Sequence, residues 1–317
     1  MIDYAENADV RTVVLQCAQR LCAAGVGQDF SDTQPEVARH EVTVLLAEAC
    51  GLNARDIQAA SLMGKTLGEL GTAIQLKRFN KWVERREKRE PLQHIVGRAP
   101  FRYLDLLVGP GVFIPRPETE LLIDEALEYV RSLRSSQSSS AAVRIVDLCA
   151  GSGALGLAAA TEIDSSYVWA VELSEQAFVY AQKNSRRVQA RNYEVIQADA
   201  TLEQTLQDLN GTVDIVLSNP PYIPLTDIPE QVEARESDPD MALYGASDDG
   251  MKIPSLIIQR ASQLLKTGGL LLMEHDWSQG KSTCEQARNC GFSSAQTHRD
   301  FAGKERYLRA INKDSAT

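Results

Sequence analysis

The fold class is indicated most clearly by the segment Val143-Arg144-Ile145-Val146-Asp147-Leu148-Cys149-Ala150-Gly151-Ser152-Gly153-Ala154-Leu155-Gly156. Its branched apolar start predicts a β-strand, its glycines predict a tight loop, and its end predicts the first turn of a helix. The glycines follow the Gly-x-Gly-x-x-Gly spacing, at which backbone N–H groups can closely approach a nucleotide. Glu172 ends the next predicted strand, where a carboxylate can hold ribose hydroxyl groups. A glycine turn that serves only packing is the alternative.

Around this stretch, short apolar runs alternate with helical patterns, which is typical of a parallel sheet with crossover helices. The predicted strands lie near 143–148, 167–172, 193–197, 213–218 and 269–275, the helices near 154–162, 174–190, 252–266 and 279–290, and a final pair of strands near 293–298 and 305–311. The serine-rich stretch 132–140 is predicted to be a surface loop before the first strand. Such α/β sheets bind ligands at the carboxyl ends of their strands.

The first 90 residues show helical patterns without a strand pattern. Apolar residues recur at helical spacing from Val10 to Leu21 and from Ala38 to Ala49, and a glycine closes each pattern. The second helix is predicted to begin near Pro35, with Asp32 or Thr33 as its cap. Residues 77–102 hold nine Lys and Arg against three Glu, a local charge of +6. That segment is either a solvated helix face or a patch for an acidic or RNA-bound partner.

Composition limits the function classes. The 317 residues carry a net charge of −10, which opposes a direct grip on nucleic acid phosphates. The six cysteines include no C-x-x-C pair and no metal-ligand spacing, so we expect reduced thiols in the cytoplasm and no metal site. No apolar run approaches the roughly 20 residues that a membrane span requires, and no secretory signal is visible. We expect a cytoplasmic monomer.

Two carboxylates favour S-adenosylmethionine over a dinucleotide as the ligand of the glycine loop. Asp147 lies in the approach to the loop, where it would repel a pyrophosphate but suits a cationic ammonium or sulfonium group. Asp199 follows the third predicted strand of the sheet and can accept a hydrogen bond from an adenine amino group. Either side chain could instead be an ordinary turn cap.

The turn Asn219-Pro220-Pro221-Tyr222 follows the predicted strand 213–218 and is the most informative segment. Its two prolines fix the backbone and present carbonyl oxygens without competing N–H groups. The Asn219 side-chain oxygen and the Pro220 carbonyl can each accept one hydrogen of a planar –NH2 group, while Tyr222 packs on its face. This arrangement predicts methyl transfer to an amide or aryl amine nitrogen. A purely structural proline turn is the alternative.

With these residues in place, the chain resembles the glutamine N-methyltransferases that modify class-1 peptide release factors, the HemK/PrmC type. Beyond the Asn-Pro-Pro-Tyr turn, the resemblance includes Pro91 to Gly97, Phe113 to Glu120, Asp238-Pro239, Ala242-Leu243, Leu271 to His275, Arg299-Asp300, Gly303 and Arg306. It extends from about residue 10 to residue 311. The turn alone is shared with DNA adenine methyltransferases, whereas the Pro-Arg-Pro-Glu-Thr segment is much more specific.

The resemblance implies three parts. Residues 1–90 would be an N-terminal helical bundle that receives the substrate protein, 91–112 a β-hairpin linker, and 113–317 a Rossmann-like methyltransferase domain with a seven-stranded sheet and an antiparallel last strand. The implied reaction moves a methyl group from S-adenosylmethionine to the side-chain nitrogen (N5) of the glutamine in the Gly-Gly-Gln loop of a release factor. S-adenosylhomocysteine would be the product, and no metal would be required.

The resemblance also implies roles for individual residues. The implied cofactor residues are Cys149, Ala150, Gly151, Ser152, Gly153, Glu172, Asp199, Ala200 and Asn219. Among these, Cys149 to Gly153 would line the methionine part, Glu172 the ribose, and Asp199 with Ala200 the adenine. Asn219, Pro220, Pro221 and Tyr222 would bind the glutamine amide, with Asn219, Pro220 and Tyr222 catalytic. Glu118 and Thr119 would border the cofactor. Many relatives have glycine in place of Cys149, and some have a bulkier residue than Ala200.

Several alternatives stay open at this point. The nearest is a sister enzyme that methylates glutamine in a ribosomal protein, and a DNA adenine methyltransferase is opposed by the net charge of −10. A nicotinamide dehydrogenase has no use for a turn that binds an amine, and a non-catalytic adaptor would not require that turn intact. Residues 226–251 hold eight Asp and Glu against one Arg, and are either a disordered acidic loop or a lid over the substrate.

Overall fold

The computed structural model describes residues 4–28, 33–136, 141–228 and 232–313. These residues form two compact units. The first comprises the described residues up to 97 together with 232–237, and the second comprises 98–228 and 238–313. The three-part division at residues 90 and 112 stays a prediction.

In the described ranges, helices make up the first unit, and helices and strands alternate in the second. The helices are α1 (Val10–Ala23), α2 (Gln34–Cys50), α3 (Ala54–Leu62), α4 (Ala73–Glu87), α5 (Leu92–Val96), α6 (Leu121–Ser136), α7 (Ala154–Glu162), α8 (Glu175–Val188), α9 (Val232–Ser237), α10 (Asp240–Leu243), α11 (Lys252–Leu264) and α12 (Gly280–Asn289). The strands are β1 (Arg98–Phe101), β2 (Leu104–Leu107), β3 (Val143–Leu148), β4 (Ser166–Glu172), β5 (Tyr193–Gln197), β6 (Val213–Ser218), β7 (Leu265–Glu274), β8 (Phe292–Arg299) and β9 (Glu305–Asn312).

The first unit is the predicted helical bundle. Helix α1 begins at the Asp9 cap, whose carboxylate accepts a hydrogen bond from the Thr12 N–H at 2.8 Å. Helix α2 has a proline in its first turn and ends at Gly51, whose φ of +73° is the left-handed conformation that closes many helices. The predicted apolar stripes of α1 and α2 are buried against each other and against α4. Asp32, one of the two predicted caps of α2, lies outside the described residues.

The second unit contains a sheet whose described strands run in the order β5-β4-β3-β6-β7-β9-β8. Strands β5, β4, β3, β6 and β7 pair in parallel in that order, and β9 is antiparallel to both β7 and β8. The order reverses at β3, so the carboxyl ends of β3, β4 and β6 meet at the position where such sheets bind ligands. This architecture confirms the predicted α/β class with a seven-stranded sheet and an antiparallel final strand.

Both faces of this sheet are covered, as its apolar strands require. Neighbouring residues alternate between the faces: Ile145 lies in the core that includes α6 and α7, and Val146 lies in the core that includes α11 and α12. A separate antiparallel hairpin of β1 and β2 pairs Arg98 with Leu107 and buries Phe101 in the first of these cores. The hairpin therefore packs as part of the second unit.

The predicted surface loop over 132–140 is wrong as to structure for residues 132–136, which continue helix α6, although Ser132 and Ser135 are exposed as predicted. The serine hydroxyl groups are satisfied inside the helix, since Ser132 Oγ donates to the Tyr129 carbonyl at 2.7 Å and Ser135 Oγ to the Arg131 carbonyl at 2.9 Å. Such bonds to the preceding turn let serine remain helical when apolar neighbours such as Val130 are buried. Residues 137–140 lie outside the described residues.

Candidate functional site

The glycine loop between β3 and α7 is built on left-handed backbone. Cys149, Gly151 and Gly153 have φ values of +66°, +58° and +85°. A Cβ atom at Gly151 would meet nothing within 4 Å, so the conformation and not the space favours glycine there. A Cβ at Gly156, by contrast, would lie 2.9 Å from Asp147 Oδ2. At its glycines the loop can therefore present its backbone to a ligand without an intervening side chain.

Cys149 is a strained member of this loop. At φ +66° a non-glycine residue pays roughly 1 kcal/mol relative to glycine, which explains physically why glycine suits the position. The thiol is half-buried beside the core that includes Val146, and burial raises its pKa well above the ordinary value. Cys149 is thus a neutral thiol, and its backbone, like that of the glycines, shapes the loop.

Glu172 links the glycine loop to the end of β4. Its Oε2 accepts the Gly151 N–H and its Oε1 accepts the Ser174 N–H, each at 2.7 Å. Burial raises the pKa of Glu172, although these backbone hydrogen bonds oppose the rise. Each carboxylate oxygen has a second lone pair, so the side chain can also accept the hydroxyl groups of a ribose. The geometry fits the predicted role in holding S-adenosylmethionine.

Asp147 lies beneath the loop and is fully buried. Its Oδ2 accepts the Gly156 N–H at 2.8 Å, and burial raises its pKa to about 7. It therefore acts on the loop by anchoring the start of α7. Asp199, after β5, accepts bonds on Oδ1 from the backbone N–H and the hydroxyl of Thr201, at 2.8 and 2.6 Å. Both carboxylates thus make the cap bonds that were the alternative to ligand contact.

The Asn-Pro-Pro-Tyr turn follows β6, directly beside the glycine loop. Ser218 Oγ donates to the Leu148 carbonyl at 2.7 Å and so joins the ends of β6 and β3. The Tyr222 carbonyl accepts a hydrogen bond from Gln279 Nε2 at 2.8 Å, and the Tyr222 N–H donates to the Leu243 carbonyl at 3.1 Å. The backbone of Tyr222 is therefore held from two sides, by Leu243 at the end of α10 and by Gln279 at the start of α12.

A chain of side-chain hydrogen bonds runs through the turn. Asn219 Nδ2 donates to Thr119 Oγ1 at 3.3 Å, and Thr119 Oγ1 donates to Glu274 Oε2 at 2.5 Å. The Tyr222 hydroxyl donates to Glu274 Oε1 at 3.0 Å. Thr119, assigned from sequence to the cofactor border, thus contacts the predicted catalytic asparagine.

Glu274 was not identified as a functional residue from sequence. The signal that could have found it is an acidic residue at the end of the apolar run Leu270 to Met273, where a buried carboxylate requires partners. Burial raises the pKa of Glu274 to about 7, and hydrogen bonds from Thr119 and Tyr222 oppose the rise.

The acidic segment 226–251 is ordered by ion pairs where it is described. Glu233 of α9, in the first unit, lies 2.8 Å from Arg86 and 2.7 Å from Arg89. Asp238, in the second unit, lies 2.8 Å from Arg116 of the Pro-Arg-Pro-Glu-Thr segment, and burial raises its pKa to about 6 against the opposing charge of Arg116. Residues 232–237 and 240–243 are helical, so these residues are not the disordered acidic loop that was one alternative.

The described residues contain neither a metal-binding cluster nor a membrane-spanning helix. No cluster of three or more metal-ligating side chains occurs there. In the same part of the chain, no helix is both long and apolar enough to cross a membrane.

Comparison with known proteins identifies the family. A family model described as a methyltransferase domain matches residues 139–313, and one described as the PrmC N-terminal domain matches residues 15–97. The chain is 47% identical to a release factor glutamine methyltransferase of Bifidobacterium longum, over 96% of this chain and 99% of that protein. It is 39% identical to another from Streptomyces coelicolor, over 94% of this chain and 96% of that protein. The chain belongs to the release factor glutamine methyltransferase family.

A further similar protein is named for a different methyl acceptor. A 4-amino-L-phenylalanine/4-methylamino-L-phenylalanine methyltransferase of Streptomyces pristinaespiralis is 34% identical, over 81% of this chain and 79% of that protein. The predicted family and fold class are confirmed, the chain is a methyltransferase, and S-adenosylmethionine is its methyl donor. The roles of individual residues stay predictions.

Proposed function

We propose that this chain transfers a methyl group from S-adenosylmethionine to the side-chain nitrogen N5 of the glutamine in the Gly-Gly-Gln loop of class-1 release factors. The observation that carries the proposal is the rigid Asn219 to Tyr222 turn at the end of β6, joined to the end of β3 by the 2.7 Å bond from Ser218 to the Leu148 carbonyl. This bond holds a turn suited to a planar amide beside a loop suited to the methyl donor. Family membership supports the same substrate.

The turn addresses the central difficulty of the reaction. An amide nitrogen is a poor nucleophile because its lone pair is delocalised into the carbonyl group. In the proposed complex, Asn219 Oδ1 and the Pro220 carbonyl each accept one N–H hydrogen, and Tyr222 packs on the amide plane. These bonds favour the positive charge that develops on nitrogen during attack, and they aim the nitrogen at the methyl group. S-adenosylmethionine supplies an electrophilic methyl group on a sulfonium. The nitrogen–carbon bond forms as the carbon–sulfur bond breaks, the sulfur leaves as a neutral thioether without help from a metal, and the methylated amide releases one N–H proton to solvent.

The donor would be held by the residues predicted from the sequence. Cys149 to Gly153 would line its methionine part with backbone, Glu172 would accept its ribose hydroxyl groups, and Asp199 with Ala200 would border its adenine. The support is strongest for Glu172, because its carboxylate is already fixed by two backbone N–H groups at the carboxyl end of β4. Asn219 would contact both donor and substrate.

We propose further that the protein acts in the cytoplasm as a monomer and without direct contact to nucleic acid. The net charge of −10 opposes a phosphate-binding role. The helical first unit would receive the release factor, and its match to the PrmC N-terminal domain favours this substrate over a ribosomal protein.

A methylation assay with several substrates tests the proposal. The protein is incubated with labelled methyl donor and, in separate arms, a class-1 release factor, its Gly-Gly-Glu variant, a ribosomal protein, duplex DNA and 4-aminophenylalanine. Label in the release factor alone, lost in the Gly-Gly-Glu variant, supports the proposal. Equal label in that variant refutes the assigned atom, and label in another arm but not in the release factor refutes the substrate.

A further inference from the structure

The orientation of the Asn219 amide decides whether it can serve the proposed reaction. Its oxygen accepts hydrogen bonds and its nitrogen donates them, yet the two ends have nearly the same shape. A substrate amide that donates its N–H groups is bound only when Oδ1 faces it. Some neighbour of Asn219 must therefore fix which end points to the substrate.

Thr119 is that neighbour, because its single hydroxyl proton has another destination. Thr119 Oγ1 lies 2.5 Å from Glu274 Oε2, and an ionised carboxylate can only accept. The hydroxyl proton consequently points at Glu274, and the oxygen of Thr119 presents lone pairs to Asn219. Only the –NH2 end of Asn219 can then face Thr119. This agrees with the hydrogen bond of 3.3 Å that Asn219 Nδ2 donates to Thr119 Oγ1.

Glu274 is placed to fix the direction of these hydrogen bonds. It is fully buried at the end of β7, and its second oxygen accepts the Tyr222 hydroxyl at 3.0 Å. The charged groups that influence it are Glu118, beside Thr119, and Arg306 of β9, which is itself bound to Asp300 at 3.0 Å. One carboxylate thus fixes the proton of Thr119 and that of Tyr222 together.

We propose that Glu274 and Thr119 are positioning residues, which hold Asn219 with Oδ1 toward the substrate amide by directing the Thr119 hydroxyl proton to the carboxylate. This inference rests on the proposed function, because it assigns Asn219 Oδ1 as the acceptor of the glutamine N–H. Neither residue touches the substrate in this account. They act through Asn219 and Tyr222.

Protonation of Glu274 would change which groups donate and which accept in this chain of hydrogen bonds. A carboxylic acid must donate its proton to Thr119 or Tyr222, which frees the hydroxyl proton of that partner to turn toward another acceptor, such as Asn219 Oδ1. Burial raises the pKa of Glu274 to about 7. The orienting carboxylate therefore forms as the pH rises through this value, and the rate of methyl transfer should rise with it.

Four variants test the proposal with a release factor as substrate. Thr119→Val removes the hydroxyl group that bonds both Asn219 and Glu274, whereas Thr119→Ser keeps a hydroxyl group at that position. Glu274→Gln replaces the carboxylate, which only accepts hydrogen bonds, by an amide that can also donate one. Thr43→Val is the matched control, since Thr43 is a buried threonine of α2 whose hydroxyl bonds the Arg39 carbonyl at 2.8 Å. Turnover, KM for each substrate and the pH profile between 6 and 8 are measured.

We expect Thr119→Val to lower kcat by about tenfold with KM nearly unchanged, as loss of one orienting hydrogen bond implies. Thr119→Ser should retain most of the activity, Glu274→Gln should lower kcat and flatten its rise with pH, and Thr43→Val should match the wild type. Wild-type kcat in Thr119→Val, equal loss in Thr119→Ser, or an unchanged pH profile in Glu274→Gln would overturn the proposal.

A neutron crystal structure separates this inference from the proposed function. It locates the deuterium atoms of Thr119, Tyr222 and Asn219 in the protein itself, whatever its substrate. Deuterium between Thr119 and Glu274, with the deuterated –NH2 group of Asn219 facing Thr119, supports the inference even if release factors are not methylated. The reverse orientation of Asn219 overturns it even if they are.

Discussion

Replacing Glu233 by glutamine should destabilise the helical first unit, and by an amount that depends on pH. Burial alone would raise the pKa of this carboxyl, but hydrogen bonds from Arg89 and Arg86 outweigh burial and lower it to about 2 from an ordinary 4.5. A difference of this size corresponds to about 3 kcal/mol of folding free energy at neutral pH. The side chain is 18% exposed and Arg86 keeps Glu41 as a partner, so we expect a loss of about 2 kcal/mol.

The sign of the pH dependence follows from the lowered pKa. A carboxylate whose pKa is depressed in the folded state stabilises the fold above its unfolded pKa, and this contribution is lost as the pH falls from about 4.5 toward 2. The difference in unfolding free energy between wild type and Glu233→Gln should therefore be largest near pH 7 and smaller at pH 3. Other buried carboxylates titrate in both proteins and cancel from the difference.

The assay is urea unfolding followed by the fluorescence of Trp82 in α4, in a background where Trp169 and Trp277 of the second unit are phenylalanine. Glu236→Gln is the matched control on the same helix, because Glu236 is 58% exposed and pairs at 3.4 Å with an exposed Arg235. It should change stability by less than about 0.5 kcal/mol. Equal losses of stability in the two variants would contradict a stabilising role for the Glu233 ion pairs. So would a loss in Glu233→Gln that is as large at pH 3 as at pH 7.

Substitutions at three further positions probe the site. Asn219→Ala should lower methyl transfer at least ~10²-fold with little change in affinity for S-adenosylmethionine, and unchanged single-turnover rates would refute its role. Glu172→Ala should weaken binding of the donor more than it slows chemistry, and native affinity by calorimetry would count against this. Cys149→Gly should change stability by less than about 1 kcal/mol in thermal unfolding, because relief of the positive φ offsets the greater freedom of the unfolded chain. Cys149→Val should lose more, since a branched side chain tolerates that conformation poorly, and equal melting temperatures for these two Cys149 variants would contradict the strain argument.

Much of the second unit could be predicted because its signals are local. A run such as Val213 to Ser218 has the branched, apolar character of a buried strand, and the structure has β6 over the same residues. Prediction failed at Ser132 and Ser135, where serine was interpreted as a loop former although its hydroxyl can bond the preceding helical turn. The residue-by-residue site predictions await the experiments above.

The linear order of residues specifies the local elements of this protein: which runs become strands, where glycine permits a left-handed loop, and which turn carries an amide beside two prolines. These properties depend on neighbours within a few residues, so they are present in the linear pattern. The hydrogen-bonded chain of Thr119, Asn219, Tyr222 and Glu274 exists only in the folded molecule, because Thr119 lies 100 positions from Asn219 and 155 from Glu274. Pairing of β6 with β7 brings the ends of those strands together, and a hydrogen bond depends on distance in space.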